Sequence, residues 1–264
     1  MKTIYHFSGA GNDFVVIDGR EGDVSAFREV PRIEALCQEY KTDGLMILGS
    51  GDAEVDFTME FYNPDGSGGM MCGNGGRCIV AFADYLGIRP SSGGVFLFMA
   101  PDGLHTGEIL ERPADDLWTV RIKMIDVQGI TPMLGGYFLN TGTRHFVKFV
   151  EDVEQVDVDA EGKALRWNEA FAPIGTNVNF VHVAPDGLHV RTFEKGVEGE
   201  TLACGTGLTA CALVAHHAGV PTATPGAYRL RARQDWLSVN FTPGADEKFT
   251  DVYLTGPARL VEIR

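Results

Sequence analysis

Two cysteines in matched surroundings carry the clearest chemical signal in this chain. Cys72 is followed by Gly-Asn-Gly and Cys204 by Gly-Thr-Gly, and each segment continues into a helix-like run. The two cysteines are 132 residues apart in a chain of 264 residues, so the offset is half of the length and indicates an internal duplication. Two thiols that face one carbon from opposite sides suit a racemase or epimerase, because one removes a proton and the other supplies one.

The position of both cysteines just before a predicted helix explains how they could react. The N-terminus of a helix favours a thiolate, since its unsatisfied N–H groups and its dipole stabilise negative charge. The same N–H groups bind anions such as a carboxylate, and glycine lets a ligand approach the backbone. The sequence therefore predicts that each motif both activates a thiol and holds an amino-acid carboxylate.

Burial in the core and zinc binding are the less reactive interpretations of a cysteine. A lone cysteine is usually buried and inert, which we predict for Cys37, Cys78 and Cys211. The spacings Cys72 to Cys78 and Cys204 to Cys211 are too wide for a structural zinc site, so no metal site is predicted.

A dinucleotide-binding loop is the remaining interpretation of the second motif. The glycines from Gly205 onwards fit the pattern Gly-x-Gly-x-x-Ala. No acidic residue follows about twenty positions later, where a ribose ligand is expected, and no apolar strand precedes the motif. The sequence does not favour nucleotide binding.

Short strand-like runs and three helical stretches must position these motifs. The helices are predicted over Pro31–Tyr40, Gly76–Leu86 and Leu208–Ala218, and the last two are apolar all round, which is typical of buried helices. We therefore expect an α+β fold with two pseudo-symmetric β-rich lobes, each wrapped around a buried central helix. The predicted N-terminal lobe is 1–125, completed by 252–264, and the C-terminal lobe is 126–251.

Two further segments receive structural interpretations. The sequence Ala-Pro-Asp-Gly-Leu-His occurs at Ala100–His105 and again at Ala184–His189. Since Asp-Gly between strand-like runs is a hairpin signal, both copies are predicted to be turns without chemistry. The acidic run Glu151–Asp159 is predicted to be a solvated surface loop.

Composition limits the partners and the compartment. The formal net charge of −14 argues against nucleic acid or an anionic membrane as a partner. The N-terminal segment lacks the apolar core of a secretory signal, and no apolar run has the roughly 18 residues of a membrane span. Five cysteines, an odd number scattered through a large chain, do not resemble a disulfide framework, so a cytoplasmic location with reduced thiols is expected.

Three stretches resemble the diaminopimelate epimerase family, whose members interconvert LL- and meso-diaminopimelate without pyridoxal phosphate. They are Gly9–Phe14, the segment from Asn63-Pro-Asp-Gly-Ser to Cys78, and Gly199–Gly207. Weaker matches lie around His145 and over Gly175–Val181. The resemblance spans nearly the whole chain in the right order, and it implies an isomerase with a two-lobed fold, no cofactor and an active-site cleft.

The resemblance also implies roles for individual residues. Cys72 and Cys204 would form the base and acid pair. Donors at the two helix starts would stabilise the carbanion through the α-carboxylate; these are Gly73, Asn74, Gly205 and Thr206. Glu194 matches the residue that binds the α-ammonium group. The asparagines that match substrate-holding positions are Asn12, Asn63 and Asn177, the latter two at the distal end of the substrate.

The distal end is also where the chain departs from the family. Lys195 stands where the family usually has the arginine that grips the distal carboxylate. Lysine keeps the charge but loses the bidentate fork. The family's Gly-Asn-Pro-His is Gly142-Thr143-Arg144-His145 in this chain. Arg144 is therefore a candidate for the missing carboxylate contact.

Other functions remain open on the sequence. A two-cysteine racemase or epimerase of another amino acid, similar to proline racemases, is the alternative suggested by Thr143, Arg144 and Lys195. An isomerase of the phenazine-biosynthesis type shares the fold but lacks the cysteine pair. A non-catalytic ligand-binding or metal-binding protein has no need of two reactive thiols. A small-molecule amino-acid substrate is expected, and since these epimerases are often dimers, so is a homodimer.

Overall fold

The computed structural model describes residues 2–69 and 71–264, which form two compact units. The first unit comprises Met1–Ile122 and Gly256–Arg264, and the second comprises Lys123–Thr255. The long C-terminal strand β17 (Lys248–Ile263) contributes its first part to the second unit and its last part to the first.

Eight strands of the first unit form a closed barrel. They are β1 (Ile4–Gly9), β2 (Asn12–Asp18), β3 (Gly44–Ser50), β4 (Phe57–Tyr62), β5 (Val95–Ala100), β6 (Gly103–Ala114), β7 (Leu117–Lys123) and the last part of β17. Each strand pairs with the next along the chain, β7 pairs with β17, and β17 pairs with β1. These pairings close a ring of eight strands.

Two α-helices belong to this unit. Helix α1 (Val30–Tyr40) contacts β2 and β3 and adds Ile33 and Leu36 to a core cluster. Helix α2 (Gly73–Tyr85) contacts β1, β2, β3 and β6, and every residue from Gly73 to Ala83 is buried. Apart from Asn74, Arg77 and Asp84 its residues are apolar or small, which is typical of a buried helix.

The second unit is built in the same manner. Its strands are β8 (Val127–Gln128), β9 (Thr131–Met133), β10 (Gly136–Asn140), β11 (Arg144–Phe149), β12 (Asn177–Ala184), β13 (Gly187–Glu194), β14 (Gly199–Thr201), β15 (Ala227–Arg231), β16 (Trp236–Pro243) and the first part of β17. Its helices are α3 (Val158–Arg166) and α4 (Gly205–His217). Helix α4 contacts six of these strands, namely β10, β11, β12, β13, β15 and β16.

The pairing order repeats between the units. In the first unit the antiparallel pair β1–β2 is followed by the parallel pair β2–β3, the antiparallel pair β3–β4 and the parallel pair β4–β5. In the second unit β10–β11, β11–β12, β12–β13 and β13–β15 follow the same alternation. Helices α2 and α4 both have 13 residues. The repeat seen in the cysteine motifs thus extends to the strands and helices around them.

Two sequence expectations need correction. Helices α2 and α4 begin three residues earlier than predicted, so that the glycines after each cysteine lie in the first helical turn. The acidic run Glu151–Asp159 is not all loop, because it contains the start of α3. Asp157 caps that helix by accepting from Ala160 N, as acidic N-caps do, and Val158 is buried.

The predicted hairpins are confirmed. Ala100–His105 forms the turn between β5 and β6, and Ala184–His189 forms the turn between β12 and β13. Within residues 2–69 and 71–264, no helix combines the length and the apolar character needed to cross a bilayer.

Candidate active site

The sulfur of Cys72 lies at the N-terminus of α2. Cys72 is the N-cap, with φ of −100° and ψ of 152°, and its Sγ accepts a hydrogen bond from Gly75 N at 3.2 Å. The thiol thus takes the place of the serine or aspartate oxygen that usually caps a helix. Because the N–H groups and the dipole at this end favour an anion, the position stabilises a thiolate.

Gly75, three residues after Cys72, makes this contact possible because it has no side chain. A Cβ on Gly75 would lie 3.2 Å from Cys72 Sγ and 3.3 Å from the sulfur of Met46. In the second unit, a Cβ on Gly207 would lie 3.3 Å from Cys204 Sγ. The repeated Gly-x-Gly therefore leaves room for each sulfur beside its helix.

A buried arginine organises the first turn of α2, and sequence reasoning missed it. Arg77 is fully buried and donates to Gly73 O at 3.0 Å, to Asn74 Oδ1 at 2.9 Å and to Pro257 O at 3.3 Å. Its bond to Oδ1 fixes the amide of Asn74 with the nitrogen directed at Asn12 Oδ1. Its place in Cys-Gly-Asn-Gly-Gly-Arg, four residues after Gly73, is the sequence signal that could have identified it.

Asn12 and Asn74 therefore lie together, as the predicted site requires. Asn12 Nδ2 also donates to Asp43 Oδ2 at 3.2 Å, which extends the chain of polar contacts to the loop before β3. Asn63 lies in a different turn, after β4, where its Nδ2 donates to Ser67 Oγ at 3.0 Å. Within the first unit the structure thus places Asn12, Asn74 and Cys72 around one helix start, with Asn63 in the preceding turn.

Cys204 holds the matching place in the second unit. It is the N-cap of α4, is 7% exposed, and its O accepts from Leu208 N at 2.8 Å. Its Sγ lies 3.5 Å from the hydroxyl of Thr206. Gly205 and Thr206 form the first turn of α4, so both predicted donors stand beside the thiol.

The hydroxyl of Thr206 leads to a buried histidine. His145 Nε2 lies 2.9 Å from Thr206 Oγ1 and 2.9 Å from Thr143 Oγ1. On its other side, Asn179 Nδ2 donates to His145 Nδ1 at 3.1 Å and to Phe146 O at 3.1 Å. Since Nδ1 accepts, the proton of the neutral ring lies on Nε2 and points to the two threonines.

His145 stays neutral at physiological pH. Full burial disfavours the charged imidazolium and lowers the pKa of His145 to about 3. It acts as a fixed hydrogen-bond donor to the threonines around Cys204, and sequence reasoning had noted it only as part of a weaker family match.

This burial predicts a pH dependence of stability. The folded pKa lies below that of an unfolded histidine, so the unfolded state binds the extra proton first as the pH falls. We expect the contribution of His145 to be fully present above about pH 6.5 and to fall towards pH 3 by up to about 1.4 kcal/mol per pH unit. In His145→Gln, urea unfolding from pH 7 to pH 4 would show a shallower loss of stability than in the wild type. An equal slope in both proteins would contradict the assignment.

Asn177 connects the predicted distal-end residues. Its Nδ2 donates to Arg144 O at 2.9 Å, and its Oδ1 accepts from Lys195 N at 2.8 Å. The Lys195 side chain is exposed. The Arg144 guanidinium lies over the Phe138 ring, 5.1 Å from its centroid, and donates to Phe171 O at 3.3 Å. Asn177 thus fixes the backbone at Arg144 and at Lys195, two of the three residues that depart from the family pattern.

Glu194 ends β13 and is held from β14. The hydroxyl of Thr201 donates to Glu194 Oε1, and the register pairs Glu194 with Gly199. Glu200 forms a two-point ion pair with Arg191, with Nε–Oε1 and Nη2–Oε2 distances of 2.7 and 2.6 Å. This pairing fixes the hairpin that carries Glu194 and leads to Cys204.

The remaining three cysteines lie in the core. Cys37, Cys78 and Cys211 are buried, as predicted, and burial raises the pKa of each thiol. In the part of the chain that the structure describes, histidine, cysteine and acidic side chains form no group of three that could hold a metal ion.

The chain matches a known family over most of its length. A family model described as diaminopimelate epimerase matches residues 4–92 and 137–261. The diaminopimelate epimerase of Chlorobaculum tepidum is 40% identical over 263 residues, covering 96% of this chain and 97% of its own. That of Flavobacterium psychrophilum is 37% identical over 262 residues, covering 98% and 97%.

The fold has a wider distribution. The phenazine biosynthesis protein of the PhzF family from Bacillus anthracis aligns with a TM-score of 0.77 over 100% of this chain and 98% of its own, at 10% identity. That likeness shows the fold alone. The family model and the full-length relatives carry the closer assignment: the chain belongs to the diaminopimelate epimerase family.

Proposed function

We propose that the protein is an isomerase that epimerises LL-diaminopimelate to meso-diaminopimelate without a cofactor, as a step of lysine and peptidoglycan precursor synthesis. The observation that carries the proposal is the repeated helix start, in which Cys72 caps α2 and Cys204 caps α4. The relatives named diaminopimelate epimerase align with this chain over 97% of their own length.

In the proposed reaction the two thiols exchange roles in each turnover. One cysteine, as thiolate, accepts the α-proton and becomes a thiol. The other thiol donates its proton to the opposite face of the α-carbon and becomes the thiolate. The enzyme therefore leaves each turnover in the protonation state that suits the reverse reaction, and the pair titrates as a unit.

Charge on the α-carbanion has to be stabilised without an electron sink. We assign this to the N–H groups at the starts of α2 and α4, from Gly73, Asn74, Gly205 and Thr206, acting on the α-carboxylate. Donors held in place before the reaction cost no reorganisation when charge develops. The Glu194 carboxylate is assigned to the α-ammonium group and Asn12 to the same end of the substrate.

The proposal extends to the architecture and the setting of the enzyme. The shared pairing order and the equal lengths of α2 and α4 support two pseudo-symmetric lobes, each wrapped around its central helix. We further propose a homodimer in the cytoplasm, the latter because five unpatterned cysteines suit a reducing compartment.

Proton exchange tests the function directly. The reduced protein is incubated with LL-diaminopimelate in D2O without pyridoxal phosphate or metal, and the α-proton is followed by NMR together with the ratio of stereoisomers. Deuterium at one α-carbon with meso product supports the proposal. If no exchange occurs in folded protein, a panel of other amino acids tests the alternative substrate suggested by Thr143, Arg144 and Lys195.

Lys195 predicts a measurable effect on substrate affinity. We assign the distal end of the substrate to Asn63, Asn177 and Lys195. The lysine supplies the positive charge that faces the distal carboxylate. We expect Lys195→Ala to raise KM about tenfold with a smaller change in kcat, because a contact far from the reacting carbon binds ground and transition states alike. Lys195→Arg should lower KM by restoring the fork.

This prediction has one matched control and one test of a neighbouring residue. Lys163→Ala removes an exposed lysine from α3 and should leave KM unchanged. Arg144→Ala tests whether the neighbouring guanidinium shares the distal carboxylate; an unchanged KM would exclude Arg144 and leave Lys195 as the cationic contact.

A further inference from the structure

The two copies of Ala-Pro-Asp-Gly-Leu-His make the same local contact. In the first unit, His105 Nε2 lies 3.1 Å from Asp102 Oδ1, and in the second, His189 Nε2 lies 2.8 Å from Asp186 Oδ1. In each pair the two residues are three positions apart, and their contact closes a hairpin turn. By themselves, both copies would be structural turns.

The first copy has an additional contact that leads to the catalytic cysteine. Met71 N donates to Asp102 Oδ1 at 3.2 Å, so the turn between β5 and β6 holds the residue directly before Cys72. The side chain of Met71 packs on the first turn of α2, where its Sδ lies 2.7 Å from the position of a Cβ on Gly76. The chain that leads to Cys72 is therefore held at its backbone and at its side chain.

The carboxylate that makes this contact is itself held in place. The Asp102 side chain is 26% exposed and that of His105 17%, whereas the Asp186 side chain is 51% exposed. The His105 ring stacks on Phe98 of β5, with centroids 5.5 Å apart and planes at 29°. Phe98 is fully buried, so the stack ties the imidazole, and through it Asp102, to the barrel.

We propose that Asp102, oriented by His105, is a positioning residue for Cys72. The inference rests on the proposed role of Cys72 in proton transfer. The sulfur reaches Gly75 N only in the N-cap conformation, and the peptide between residues 71 and 72 sets that conformation. Helix α2 fixes the chain after Cys72, and the Asp102 contact fixes it before. Without that contact the sulfur is free to leave the helix N-terminus, where its thiolate is stabilised.

The chain supplies its own control, because Asp186 occupies the same motif in the other unit. Asp102→Ala, Asp102→Asn and Asp186→Ala are compared by the rate at which iodoacetamide alkylates Cys72, located by peptide mass spectrometry. Cys204 of the same molecules is the internal reference. We expect Asp102→Ala to slow alkylation of Cys72 about tenfold relative to Cys204. Asp102→Asn keeps an oxygen acceptor for Met71 N and should recover most of the rate, while Asp186→Ala should leave it unchanged.

Turnover is measured on the same variants. Asp102→Ala should lower kcat for diaminopimelate about tenfold, since misplacement of a reacting group by a fraction of an ångström has effects of this size. Thermal unfolding of Asp102→Ala and Asp186→Ala is measured alongside, and a roughly tenfold loss of kcat at a temperature where both variants are fully folded separates positioning from loss of the turn.

Two results would overturn the inference. One is equal alkylation of Cys72 in Asp102→Ala and Asp186→Ala. The other is equal slowing of Cys72 and Cys204 in Asp102→Ala, which would indicate a general loss of structure. The alkylation assay needs no substrate, so a failure of the proposed substrate and a failure of the positioning role give different results.

Discussion

Replacing Cys72 or Cys204 with alanine is expected to lower kcat for epimerisation by about a thousandfold or more. In the proposed mechanism each thiol serves one face of the α-carbon, and general acid–base catalysis by a positioned group contributes roughly 10²- to 10⁴-fold. Cys72→Ala and Cys204→Ala each remove one of the two proton carriers. Deuterium wash-in and product formation, followed separately in D2O, are the measurement.

The matched controls lie on the same two helices. Cys78 of α2 and Cys211 of α4 are fully buried, and burial raises the pKa of both thiols, so they remain protonated and inert. Cys78→Ala and Cys211→Ala should keep turnover near the wild-type rate and lose only about 1–2 kcal/mol of stability. If Cys72→Ala or Cys204→Ala retains a tenth of the activity, the two-thiol mechanism is wrong.

Features encoded locally could be predicted from the sequence. The all-round apolar runs predicted α2 and α4, and Asp-Gly predicted both hairpins. The equal spacing of the cysteine motifs predicted that both cysteines share one structural setting, and each occupies the N-cap position of its helix. The helix starts were misplaced by three residues because glycine is a poor helix former in isolation, whereas in the folded chain it makes room for the sulfur.

Features that depend on distant parts of the chain could not be predicted. His145 is neutral because it is fully buried, and its tautomer is set by Asn179, 34 residues away, which donates to it from the adjacent parallel strand. The barrel closes only when β17 pairs with β1, at opposite ends of the chain. Residue types alone do not reveal such pairings, since register and burial decide which polar groups meet.

Arg77 shows the consequence of one such distant contact, and its removal predicts the largest change in stability. Its guanidinium joins α2 to Pro257, 180 residues away, and holds Gly73 O and Asn74 Oδ1 as well. Arg77→Met fills a similar volume but leaves these three acceptors, two of them buried and one partly buried, without this donor. At about 1–3 kcal/mol for each unsatisfied group, a loss of about 3–5 kcal/mol is expected.

The same substitution should also weaken the site. Without Arg77 the amide of Asn74 is free to rotate away from Asn12, so KM should rise even where the protein is folded. Arg77→Lys keeps the charge but cannot reach all three acceptors, and we expect it to recover only part of the stability. Urea unfolding and steady-state kinetics at a temperature well below Tm measure the two effects separately.

Arg89→Met is the control, since Arg89 is exposed beyond the end of α2 and its loss should change stability by no more than about 0.5 kcal/mol. A buried cation that only filled space would make Arg77→Met nearly neutral in both assays. Coupled losses of stability and affinity in Arg77→Met, absent in Arg89→Met, would show that the barrel and the pair Asn12 and Asn74, which we propose to bind substrate, depend on the same guanidinium. The structural reason is that Arg77 bonds at once to the strand β17 that closes the barrel and to the first turn that Cys72 caps.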